Sequence, residues 1–188
     1  MLHNIFSTPV YFHTIPPLYK RKIDEEINRF IKDIEEESDP YSWNEYIKTS
    51  FHNGKNDILT YSMYLLADLF IHYAREINNQ REIQIDNSWF NFSYRNNSQN
   101  THLHPCFPHA KSDIHLSGVY FHQVHENSGD LILKNSNPVN QWVNFNSEET
   151  IVPQNGMLVL FQSWVPHSVT INKTDKPRIS VSANLSGK

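Results

Sequence analysis

The sequence predicts an α+β fold in which helices from the first third of the chain cover one face of a many-stranded sandwich or barrel. Three observations carry that expectation: apolar residues at helical spacing up to about residue 78, short β-rich runs from residue 82 onward, and turn residues between those runs. Helices first and strands after give α+β layering, with the helices on one sheet face. With five glycines and no glycine-rich phosphate loop, a nucleotide-binding α/β fold is excluded as the first choice.

The elements follow in order. Residues 5–12, "IFSTPVYF", are rich in β-branched and aromatic residues and read as a strand. Pro16-Pro17 suit the start of a helix. Leu18, Ile23, Ile27, Phe30, Ile31 and Ile34 then form one apolar stripe, so this helix covers something. Residues 38–57 read as a loop containing Asn53-Gly54. A second helix is expected from Asp57 to Asn78, apolar on nearly every side and therefore buried. From residue 82 come "IQIDNSWFNFSYR", "NTHLHP", "IHLSGVYFHQV", "DLILKN", "QWVNF", "TIVP", "MLVLFQSW", "SVTIN" and "RISVSANL". Strands this short, at this spacing, suit a sandwich or barrel. The expectation is one domain over residues 1–188, with 1–80 mainly helical support and 82–188 the strand core.

Composition narrows the function classes. A net charge of −4 argues against a broad nucleic-acid surface. The single cysteine, Cys106, allows no intrachain disulfide and no Cys-x-x-Cys metal site. The opening residues lack a basic segment followed by an uninterrupted apolar run, and no stretch reaches membrane-spanning length, so a cytoplasmic protein is expected.

The unusual residue is histidine. Of eleven, six (His102, His104, His109, His115, His122 and His125) crowd into one short stretch. In "THLHP", His102 and His104 stand at i and i+2 and would share one face of a strand. Another candidate, His167, follows in "FQSWVPHSV", and Arg178 and Ser180 again stand at i and i+2 in "RISVSAN". Each alone has an ordinary explanation, as a strand-edge histidine or a surface arginine. Together they suit a site for a small chelating acid. Imidazoles hold a divalent transition metal with positions left open, and an arginine fork clamps a carboxylate. His115 and His122, at odd separation, cannot both face one pocket.

With these residues in view, the sequence resembles the Fe(II)/2-oxoglutarate-dependent oxygenases, in particular a bacterial and phage branch with a His-x-His-Pro motif. The resemblance runs from "IFSTPV" through "SWFNFS", "THLHP", "LSGVYF" and "SGDLIL" to "PQNGMLVLFQSWVPHSV" and "RISVSANL". It implies a double-stranded β-helix, or jelly roll, buttressed by helices. It implies Fe(II) and 2-oxoglutarate as cofactor and co-substrate, with an unidentified small-molecule or protein substrate hydroxylated and succinate and CO2 released. His102 and His167 match the two metal-binding histidines. Arg178 matches the residue that receives the far carboxylate of 2-oxoglutarate, Ser180 its hydroxyl partner, and Tyr120 a tyrosine reaching the same carboxylate. Asn91, Asn100 and Asn184 lie in family-like stretches as pocket candidates. Position 104 departs from the usual carboxylate. His104 is taken as the third ligand from its i, i+2 placement, the alternatives being water or Asp113 in that position or a site without redox activity. Two other functions stay open: a non-catalytic metal- or ligand-binding jelly roll, and a three-histidine iron oxygenase that does not use 2-oxoglutarate. Related jelly rolls pair through helices or edge strands, which leaves a homodimer open.

Overall fold

A computed structural model describes residues 8–42, 47–51, 57–79, 81–104, 115–137 and 147–187. Its backbone is two antiparallel sheets with helices against the outer face of the larger one. The larger sheet has the strand order β1 (Val10–Thr14), β9 (Met157–Gln162), β6 (His115–Gln123), β11 (Arg178–Gly187), β4 (Ile83–Ser93), β3 (Ile47–Thr49) and β2 (Asp39–Ser42). The smaller sheet runs β5 (Gln99–His102), β10 (His167–Val169), β7 (Leu131–Lys134) and β8 (Glu148–Ile151). Consecutive strands alternate between sheets over much of the chain, as in a jelly roll.

Among the described residues there are three helices: α1 (Pro17–Glu37), α2 (Ile58–Ser62) and α3 (Tyr64–Ile77). The proline start of α1 is as expected, with Pro17 in its first turn, where the missing N–H costs nothing. Ile23, Ile27 and Ile34 of its stripe are buried. The second helix, expected as one, is two. It breaks at Met63 (φ −136°, ψ 63°), whose side chain is fully buried, so packing of this apolar residue overrides its helix preference. The expected loop at 38–57 contributes strands β2 and β3 to the edge of the large sheet. The opening strand lies at Val10–Thr14 and overlaps the end of the expected 5–12 run, of which residues 5–7 lie outside the described residues. The expected strand "QWVNF", Cys106, His109 and Asp113 lie outside the described residues.

Alternation in the central strands divides the side chains between two cores. Phe90, Phe92, Leu116, Tyr120, Val181 and Ala183 face the helices and pack with Leu66 and Phe70 of α3. Val119, Phe121, Phe161, Leu131 and Leu133 lie between the sheets. Gly118 is the close approach that joins α3 to the sheet. A Cβ there would lie 2.6 Å from both Leu160 Cδ2 and Phe70 Cε1. The inner core fills only part of the space between the sheets, and the remainder is a cleft.

Candidate metal centre

Strands β5 and β10 pair antiparallel with His102 directly opposite His167, so their rings meet at a centroid distance of 4.2 Å. His104 lies beyond the end of β5, yet its backbone N–H donates to the Ser163 carbonyl at 3.0 Å and keeps the chain beside the sheet. Its ring centroid is 5.4 Å from that of His102 and 5.0 Å from that of His167. One ring nitrogen from each of the three lies within 4.8 Å of the others. Phe161 and Trp89 flank the group, edge-on to His167 and tilted against His104.

The hydrogen bonds dictate which nitrogen of each ring carries the proton. His102 Nδ1 lies 2.9 Å from the Asn100 carbonyl, and His167 Nδ1 lies 2.9 Å from the Val165 carbonyl. A carbonyl oxygen only accepts, so each Nδ1 carries the proton and each Nε2 keeps its lone pair. His104 Nδ1 is 2.5 Å from Asn184 Oδ1, again an acceptor. All three rings therefore hold Nε2 ready for a cation, with Nδ1 fixed behind it, the arrangement that orients histidine ligands. Burial also holds two rings neutral. It pulls His104 down to about 4, against the opposing effect of the Asn184 bond, with nearby His102 adding to the drop. It pulls His167 down to about 3, helped by His102 and His104 and opposed by the Val165 bond. Neutral imidazole is the form that binds metal.

Arg178 lies in the same cleft, whose cavity volume is about 40 Å³. Its side chain is 3% exposed, and its guanidinium stacks over Phe121 at 5.0 Å. Burial lowers Arg178 to about 10, partly offset by Asp130, so it stays a cation at neutral pH. Its Nε has no hydrogen-bond partner among the described residues. Ser180 follows on the same face, with Asn91 opposite it on β4. No carboxylate lines the cleft among the described residues. A buried cation whose Nε has no partner among the described residues, and with no carboxylate lining the cleft among them, fits a carboxylate arriving from outside. The two ends together suit an acid that chelates a metal at one end and carries a second carboxylate at the other.

Residues 87–184, just over half of the chain, match the family described as "Putative 2OG-Fe(II) oxygenase". The chain belongs to this 2-oxoglutarate/Fe(II) oxygenase family. No curated protein sequence matches it. Solved structures share the fold at low identity. A Pseudomonas putida prolyl-4-hydroxylase aligns at TM-score 0.63 and 15% identity, over 96% of this chain and 92% of its own. The α-ketoglutarate-dependent epimerase SnoN of nogalamycin biosynthesis aligns at TM-score 0.70 and 14% identity, over 94% and 76%. HygX from Streptomyces hygroscopicus, crystallised with nickel, 2-oxoglutarate and hygromycin B, aligns at TM-score 0.64 and 8% identity, over 96% and 84%.

Within this oxygenase the sequence candidates separate. His102, His104, His167, Arg178, Ser180 and Asn91 all line the cleft. Tyr120 does not, which corrects the expectation for it. Ser180 pairs with Phe121 and Val181 with Tyr120, so Tyr120 shares the helix-facing side of the sheet with Val181. There it is fully buried in the outer core, its hydroxyl without a partner among the described residues, and burial together with Asp24 of α1 raises its pKa. Asn100 is not among the residues lining the cleft; its carbonyl holds His102, and it lines a groove outside. Asn184 reaches His104 and not the cleft lining. His122 faces Asp24 beneath α1 at 3.1 Å, away from the cleft. The sequence reading missed Ser117, whose hydroxyl lies 2.9 Å from both His104 Nδ1 and Asn184 Oδ1. A serine inside the apolar run "LSGVYF" was the available signal.

Proposed function

We propose that this oxygenase holds Fe(II) through His102, His104 and His167 and receives the far carboxylate of 2-oxoglutarate on Arg178 and Ser180. What carries the reading is the pairing, in one cleft, of three imidazoles whose ring nitrogens lie within 4.8 Å of one another and a buried arginine. With iron and 2-oxoglutarate bound, the centre supplies oxidation by O2, in which 2-oxoglutarate becomes succinate and CO2 while a C–H bond of the substrate becomes C–OH. The protein's part is positional. Asn100, Val165 and Asn184 fix the three rings by their Nδ1 protons, and Arg178 sets the register of the co-substrate. The buried cation favours the charged diacid over a monoacid, and this argues against a three-histidine oxygenase that ignores 2-oxoglutarate.

The substrate is read as a small molecule or a protein, since a chain of net charge −4 lacks the positive field that draws nucleic acid. No helix among the described residues is long and apolar enough to cross a membrane. A cytoplasmic setting fits a site that needs reduced iron, and pairing of two copies belongs to the same proposal. Adding Fe(II) and then 2-oxoglutarate without oxygen should produce a weak visible charge-transfer band and a calorimetric binding signal. A protein that binds metal yet gives neither the band nor 2-oxoglutarate heat would refute the proposal.

A further inference from the structure

We infer that Asn184 is a positioning residue for the metal centre, holding the His104 ring so that Nε2, and not Nδ1, is presented to the cation. The inference rests on the proposed ligation by His104 and concerns how that residue is made a ligand.

The three histidines are not held alike. His102 and His167 each bond the carbonyl two residues earlier, so the local backbone sets their tautomer. His104 follows the end of β5, and its ring is anchored by side chains from elsewhere in the fold. Asn184 of β11 supplies the acceptor at 2.5 Å, and Ser117 of β6 closes the group at 2.9 Å. The direction of the Asn184 amide decides the tautomer. Its Nδ2 donates to Asn87 Oδ1 at 2.9 Å, and Asn87 stands directly opposite it in the β4–β11 register. With the amide nitrogen engaged there, Oδ1 faces His104 and accepts from both Nδ1–H and the Ser117 hydroxyl. A reversed amide would place N–H against Nδ1, force the proton onto Nε2 and leave His104 unable to bind metal. Asn184 thus does for His104 what a backbone carbonyl does for the other two.

The test uses Co(II) alone as probe, with affinity from competition titration and geometry from the Co(II) visible spectrum. Asn184→Leu removes the acceptor and should weaken Co(II) by about 10–100-fold, the usual effect of losing a residue behind a histidine ligand, with an altered spectrum. Asn184→Asp keeps an oxygen acceptor and should bind Co(II) at least as tightly as the wild type. In a His104→Ala background, Asn184→Leu should cost nothing further, because its effect passes through His104. Wild-type affinity in Asn184→Leu, equal weakening by Asp and Leu, or the same loss from Asn184→Leu with and without His104 would each overturn the inference. The ligand assignment fails differently: His104→Ala itself would then leave Co(II) binding unchanged.

Discussion

Replacing Arg178 by methionine should separate stability from co-substrate binding, and the two effects should have opposite signs. The guanidinium is enclosed, and burial pulls it down to about 10, well below the ordinary arginine range. At 1.36 kcal/mol for each unit, keeping this cation in the empty cleft costs about 3 kcal/mol. The arginine is charged in both folded and unfolded chains near neutrality, so the cost is fully present below pH 10 and fades only as pH rises above it. Methionine removes the charge and retains most of the stem's volume, while the contact with Phe121, worth about 1–2 kcal/mol, is lost. The ligand-free variant should therefore be as stable as the wild type or more stable by about 1–2 kcal/mol, which is roughly 2–8 °C in Tm for a chain of this size. Loss of one partner from a buried charge pair costs about 2–5 kcal/mol, so 2-oxoglutarate should bind about 30- to several thousand-fold more weakly. Calorimetric titration of 2-oxoglutarate into metal-loaded, oxygen-free protein gives the second quantity, and thermal unfolding of the ligand-free protein the first. Unchanged 2-oxoglutarate affinity, or a ligand-free variant destabilised by more than about 2 kcal/mol, would refute the reasoning.

Tyr120→Phe should leave 2-oxoglutarate affinity unchanged and stability equal or slightly higher, because it removes a buried hydroxyl that has no partner among the described residues; a tenfold weaker co-substrate would return Tyr120 to the cleft. Gly118→Ala should lower stability by about 1–3 kcal/mol in thermal unfolding, since the new methyl meets Leu160 and Phe70 at 2.6 Å. In the metal-free protein, His104 and His167 have folded values below 6.5, so the unfolded chain binds more protons. Denaturant melts should show stability falling by up to about 1.4 kcal/mol per pH unit for each group as pH drops below 6.5. That loss ends near pH 4 for His104 and near pH 3 for His167, and bound metal should move the decline to lower pH; a flat profile from pH 6.5 to 4 would contradict the burial of these rings.

Residues whose chemistry is legible from spacing alone are those at strand ends. His167 and the Arg178–Ser180 pair sit where an apolar run meets polar residues, His102 ends a short polar strand, and their order along the chain is distinctive. Tyr120 was misplaced because β6 is buried on both faces through its middle, which leaves no polar side to mark which residues point inward. A one-residue difference in that count exchanges the cleft for the helix layer. The division of the second helix at Met63 was hidden for a related reason: methionine continues the apolar helical pattern even where the backbone leaves it. Asn184 and Asn87 looked like pocket residues or nothing in particular, because their meaning arises from a register between strands about a hundred residues apart.

Strand β10 is three residues long and β5 four, and among the described residues β5 has β10 as its one neighbour in the smaller sheet. A seam that short, with a register irregularity between His167 and Val169, offers few backbone bonds to hold an outer strand in place. A cation gripped by His102 and His167 would act as a rivet through the seam, joining the strands by side chains where main-chain bonds are scarce. Under the proposed ligation, capturing iron and closing that corner of the barrel would become a single equilibrium, and a cell short of the metal would hold not merely an idle enzyme but one with a loose hem.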